Sequence, residues 1–141
     1  MGSGYKGNKT CVVGMLEREG ELVTRVVASR TKGAMRGLTH YQVLPGTTVH
    51  TDEFGGYKDL DQCGFQHVKV NHAAGDYAKP CGAGVNQIEG FWALLKRGIN
   101  GTHIHVNGKH LPKYLGEFEY RWNMRQVPHL VLDRLMHSFA R

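Results

Sequence analysis

The sequence predicts an α/β or α+β domain with a mixed sheet flanked by helices. Three observations lead there. Short β-branched segments fill the first half of the chain, one helical segment lies among them, and strongly amphipathic helical segments occupy the last third. The chain has 141 residues, enough for one core, and is read as a single domain over 1–141. Hydrophobic residues make up 40% and charged residues 21%, a globular balance that excludes wholesale disorder.

TCVVGMLE (10–17) is apolar and β-branched and reads as a strand. Glu19-Gly20 is a turn signal, so ELVTRVVA (21–28) is its hairpin partner. Met35, Leu38 and Tyr41 or Gln42 have helical spacing, which predicts a helix over 32–43, stopped by Pro45-Gly46. TTVHTD (47–52) is a third strand, ending at an acid. Gly55 to Cys63 is a short helix or turn region, with Tyr57 and Leu60 as its apolar positions. HVKVNH (67–72) alternates and is a fourth strand. Residues 73–85, rich in glycine and small side chains, read as a loop, and residues 1–9 as a loose N-terminus.

The remainder is helical. Ile88, Trp92, Leu95 and Ile99 form one apolar stripe over 86–99. Leu111, Leu115, Phe118 and Trp122 form another, with Pro112 suited to its first turn. Leu132, Leu135 and Phe139 indicate a C-terminal helix within 126–141.

Composition also bounds function. No stretch approaches the roughly 18 to 20 apolar residues of a membrane span. MGSGYKGNKT lacks the apolar centre of a secretory signal. Cys11, Cys63 and Cys81 are odd in number and form no CxxC pair, which fits a reducing, cytoplasmic setting. Lys plus Arg number 18 against 12 acids, a net charge of +6, compatible with a nucleic-acid partner.

Two acids stand out by position. Asp52 ends a strand, where α/β folds place their ligand crevice. Glu89 falls in the first turn of the helix expected at 86–99, where a carboxylate suits the helix dipole. Each alone also fits a structural role, as a turn or first-turn acid. Asn86, Glu89 and Lys96 are three and seven residues apart, on one helical face, with small Gly90 and Ala93 beside them. A strand-end Asp and a helix Glu suit a hard divalent cation, while Lys and Asn suit a phosphate backbone. Lys96, Arg97, Lys109, Lys113, Arg121 and Arg125 concentrate positive charge in the last third. His103, His105 and His110, with His72 or Cys81, have no zinc-site spacing and read as scattered histidines.

TDEFGGY, VNHAAGDYA and NQIEGFWALLKRGINGTHIHVNGKHLPKYLGEFEYRWN together resemble the DDE domain of bacterial insertion-sequence transposases, the ISXO-like group. The likeness begins at KTCVVGMLEREG and runs to about Arg125. It implies an RNase H-like fold and a DNA transposase core that cuts and joins DNA with Mg²⁺ or Mn²⁺. It implies Asp52 as the second acid and Glu89 as the third, both metal ligands, with Asn86 as an alternative third residue. Lys96 matches the family's basic residue, and Lys96, Arg97, Lys109 and Lys113 are the expected DNA contacts. The partners implied are transposon ends and target DNA, with homo-oligomers of the intact enzyme in the bacterial cytoplasm, at the nucleoid.

One departure accompanies the likeness. The family's first acid lies on a strand just before the segment matched by KTCVVG, and MGSGYKGNK carries no acid. The expectation is therefore a transposase fragment that lacks its first strand and first catalytic acid and is inactive alone, with 10–17 or 21–28 left as an exposed apolar edge. Glu17, Glu19, Glu21 and Asp76 are the acids among which a substitute would be sought. The alternative function is a non-catalytic, basic DNA-binding or assembly module.

Overall fold

A computed structural model describes residues 10–51, 54–70, 83–102 and 106–139. The elements are β1 (Cys11–Leu16), β2 (Leu22–Val27), α1 (Lys32–Gln42), β3 (Thr48–Thr51), β4 (Gln66–Lys69), α2 (Ala83–Thr102), α3 (Leu111–Asn123) and α4 (Val131–Phe139). They make a mixed α/β chain, as predicted. Among the described residues the strands form two separate two-stranded sheets, β1–β2 and β3–β4, rather than one mixed sheet. The chain divides into two compact units, 1–13 with 26–87 and 14–25 with 88–141. The tip of the β1–β2 hairpin belongs to the second unit and its open end to the first.

In the first unit, Thr31 caps α1 through its hydroxyl, which accepts from Ala34 N–H at 3.3 Å. Met35 and Thr39, four residues apart, give α1 its buried face. The helix ends with Val43 N–H donating to Thr39 O at 2.8 Å, and Gly46 then takes a left-handed φ of 83° that turns the chain into β3. β3 and β4 pair in parallel, with Thr48 opposite Gln66 and Thr51 opposite Lys69. A parallel pair needs a long crossover. Here it includes two 3-10 turns at Gly55–Tyr57 and Asp61–Cys63, the short-helix region the sequence indicates. Val13, Met35, Leu60, Phe65 and Val70 are the buried apolar residues of this unit.

The second unit is helical around Phe91, which is fully buried. Its ring meets Trp122 edge-on at 5.7 Å and Trp92 at 5.3 Å. Leu22, Leu95, Leu115, Phe118 and Met124 complete the buried set. The predicted stripe is thus shifted: Ile88, Trp92 and Ile99 are only half-buried, and Phe91 takes the central place. Gly98 lies directly under the Phe118 ring, and a Cβ at Gly14 would come within 2.7 Å of Trp92. Both glycines let an aromatic ring approach the backbone. Tyr120 Oη donates to Val131 O at 2.8 Å, joining the end of α3 to the start of α4.

Two helix starts need correction. Residues 83–85 open α2 rather than belonging to the loop, and residues 73–82 of that predicted loop lie outside the described residues. The C-terminal segment opens with a 3-10 turn at Pro128–Leu130, so α4 starts only at Val131. Leu132 and Leu135, which mark this helix in the sequence, are 69% and 38% exposed.

The outer edge of β2 is also not bare along its first half. Leu22 N–H donates to Asn123 Oδ1 at 2.7 Å, and Asn123 Nδ2 donates back to Leu22 O at 2.9 Å. Thr24 N–H and its hydroxyl both donate to Glu119 Oε2 at 2.7 Å. Leu22 and Thr24 point their backbone groups to one side, and two polar side chains four apart on α3 stand there as a substitute strand. Asn123→Ala leaves the N–H and C=O of Leu22 unpaired in a part-buried place. The expected cost is about 1–3 kcal/mol, read as a lower denaturation midpoint with an unchanged m-value. Asn123→Asp should rescue only the Leu22 N–H bond and remain destabilised.

Candidate metal and nucleic-acid site

α2 carries Asn86, Glu89, Lys96 and Arg97, all exposed. Glu89 and Lys96 are seven residues apart, two turns, so they lie nearly in line along the helix, and Asn86 stands one turn before Glu89. Because α2 begins at Ala83, Glu89 is in its second turn. The first turn holds no acid, and the helix-dipole reason for an acid at Glu89 falls away.

Asp52 lies outside the described residues; Thr51, the residue before it in the sequence, is the last residue of β3. Thr51 O accepts from Val70 N–H at 2.9 Å, and the Thr51 hydroxyl is 2.7 Å from His67 Nε2. His67 N–H donates in turn to Asp61 Oδ1 at 3.0 Å. Burial lowers the His67 pKa, only partly offset by the nearby Asp61 charge, and Lys69 lowers it further. The ring is therefore neutral near pH 7. Its Nδ1 is buried with no hydrogen-bond partner. Placing the proton on Nε2 avoids burying an unpaired N–H, so Nε2–H donates to Thr51. Nothing in the sequence sets His67 apart from the other eight histidines except the alternation of HVKVNH, which marks a strand able to pair with the one that ends at the acid.

Lys109 and Lys113 are exposed at the start of α3, the former in a turn where its N–H donates to Asn107 Oδ1 at 3.1 Å. Two other cations of that region are engaged locally. Arg121 pairs with Glu117 at 2.7 Å, and the Arg125 guanidinium stacks 4.3 Å from the Trp122 ring centroid. Glu17, Glu19 and Glu21 sit exposed around the hairpin turn, where Glu19 adopts a left-handed φ of 58°. Asp76, His72, Cys81, His103 and His105 lie outside the described residues. Among those described, no three His, Cys, Asp or Glu side chains gather as a metal-binding group. No described helix is long and apolar enough to cross a membrane.

Residues 1–123 match the ISXO2-like transposase domain. The chain belongs to that family. The match includes both β-strand pairs, α1, α2 and all of α3, so every candidate residue named above lies inside the transposase domain, save Arg125. No curated protein and no solved structure matches the chain. Carboxylate oxygens are the donors a hard divalent cation takes, and Glu89 is an exposed residue of α2. Asp52 and Glu89 are, as residue types, carboxylates of the kind such an ion takes.

Proposed function

We propose that the chain is the RNase H-like catalytic core of a DNA transposase, acting in divalent-metal-dependent strand cleavage and strand transfer. The observation that carries this reading is the family match over 1–123, which encloses a strand-end acid and a helix acid with a lysine two turns later. Asp52 and Glu89 would hold Mg²⁺ or Mn²⁺, and Asn86 would assist as ligand or contact. Bound there, the ions would supply Lewis-acid activation of the attacking oxygen and charge neutralisation at the leaving oxygen. Lys96 pairs with a phosphate of the strand being cut and fixes it against the acids. Arg97, Lys109 and Lys113 hold neighbouring phosphates of transposon-end or target DNA. The work of these side chains is positioning and charge compensation, with no covalent enzyme intermediate.

Mn²⁺ titration followed by paramagnetic broadening tests the reading. Two carboxylates are a sparse set for a cation that takes six or more oxygens, so weak binding is expected. Signals of residues around 51 and 89 should broaden first, and Asp52→Asn with Glu89→Gln should abolish the effect. Broadening centred on His103 and His105 would reject these ligands. Salt-dependent DNA binding without any Mn²⁺ response at either acid would favour the non-catalytic DNA-binding module instead.

A further inference from the structure

The outer face of α1 combines cations with an exposed aromatic ring. The helix buries Met35 and Thr39, while Lys32, Arg36 and Tyr41 are exposed on its other side. At about 100° per residue, Lys32 and Arg36 border this face on one side and Tyr41 on the other, with Gly33 and Gly37 between them. A Cβ on either glycine would meet nothing within 4 Å, so the helix backbone between the two borders is open. Tyr41 is 82% exposed, and Leu44, just past the helix end, is 79% exposed. α1 carries no acid. Arg36 has no ion pair among the described residues, and Lys32 meets Asp59 at 3.4 Å in an exposed pair of the weak kind that a phosphate can replace. A single exposed leucine is ordinary. A tyrosine ring left in water across a bare stretch of backbone from two cations has the makings of a nucleotide contact.

We infer that this face of α1 holds single-stranded DNA, with a base stacked on Tyr41 and adjoining phosphates on Arg36 and Lys32. The inference rests on the DNA-acting reading proposed above and adds a second surface to it. The cations named there belong to the second unit, and α1 belongs to the first. Charge selects a polyanion, since two cations stand on a helix without acids. The ring selects the single strand. In a duplex the faces of the bases are covered by their neighbours, whereas an unpaired base offers its face to an aromatic side chain whatever its identity. Arg36 and Tyr41 are five residues apart, about 7.5 Å along the helix axis, within the reach of one nucleotide. Gly33 and Gly37 leave no side chain to hold the strand away from the helix, and Leu44 extends the apolar surface beside the ring.

The test is fluorescence anisotropy with the 141-residue chain, using a labelled oligothymidylate of about ten nucleotides and a duplex for comparison. Tyr41→Ala should weaken oligothymidylate binding by at least about fivefold, and Tyr41→Phe, which keeps the ring, should bind like the unaltered chain. Neither change should alter duplex affinity. Arg36→Ala should make the salt slope on the single strand shallower by about 0.7. Gly37→Glu has room for its side chain and sets an acid in the path of the strand, so it should weaken oligothymidylate binding at least as much as Tyr41→Ala. Melting curves show whether each variant folds; if Gly37→Glu does not, the contrast of Tyr41→Ala with Tyr41→Phe decides. Oligothymidylate affinity unchanged in Tyr41→Ala and Arg36→Ala, with salt-dependent duplex binding retained, overturns this surface and leaves the DNA reading standing. Equal losses on single strand and duplex in Tyr41→Ala overturn the choice of the single strand. Oligouridylate bound about tenfold more tightly than oligothymidylate through the same side chains overturns the choice of DNA. Failure of the unaltered chain to bind either DNA at low salt removes both readings.

Discussion

Phe91→Ala should destabilise the protein by about 3–5 kcal/mol, a large part of the roughly 5–15 kcal/mol that holds a typical domain folded. Phe91 is 0% exposed and contacts both tryptophans of the second unit. Truncating it loses the transfer energy of the ring and opens a cavity beneath Trp122. The indole N–H of Trp122 is already buried without a hydrogen-bond partner, so the surroundings gain nothing by collapsing onto it. Ile88→Ala, at a half-buried position on the same helix, should cost distinctly less. Urea denaturation followed by tryptophan fluorescence reads both variants. A Phe91→Ala loss below about 1 kcal/mol, smaller than a typical core truncation, would mean that the ring is not the centre of the unit.

Phe91 also shows where sequence periodicity stops being informative. The stripe read from Ile88, Trp92, Leu95 and Ile99 is correct in spacing but one residue off in its centre. Phe91 and Leu95 are buried, and half-buried Gly98 continues their line along the helix. A glycine contributes nothing to an apolar pattern, yet Gly98 belongs to that line because it makes room for the Phe118 ring. The hairpin, α1 and the stops around them are legible because their signals are local: β-branched runs, a turn pair, helical spacing and Pro45-Gly46. The parallel pairing of β3 with β4 is not, since nothing in either segment names its partner. The covering of β2 is hidden for the same reason. Asn123 and Glu119 are about a hundred residues from the strand they satisfy, and two polar residues four apart on a helix read as a solvated face.

The candidate site divides in the same way. Spacing alone picks out Asn86, Glu89 and Lys96, and the helix keeps all three exposed. A place for Glu89 in the opening turn does not follow, because the helix starts at Ala83 and takes in the small residues of 83–85. The contact of His67 with Thr51 is invisible in the sequence, because it depends on strand register rather than on any motif.

DNA binding should be weak, largely independent of sequence, and steeply dependent on salt. Lys96, Arg97, Lys109 and Lys113 are all exposed, whereas Arg121 and Arg125 are occupied by Glu117 and Trp122. If each of the four exposed side chains neutralises one phosphate, log K should fall against log salt with a slope of about −3.6. Between about 50 and 200 mM salt that is a loss of about 150-fold on duplex DNA. Such contacts go to the backbone and carry no base information, so scrambled duplexes should bind alike. Replacing Lys96 and Arg97 together by Ala should make the slope shallower by about 1.8 and reduce the same salt effect to about 10-fold. Arg121→Ala should change the slope little, because its charge is already compensated along α3. Fluorescence anisotropy across a salt series distinguishes these outcomes. An unchanged slope in the Lys96/Arg97 variant would place the contact surface elsewhere, and affinity indifferent to salt would take nucleic acid out of the reading. The steepness matters more than the affinity itself, because the counter-ions released from the duplex count the protein cations that reach the phosphates.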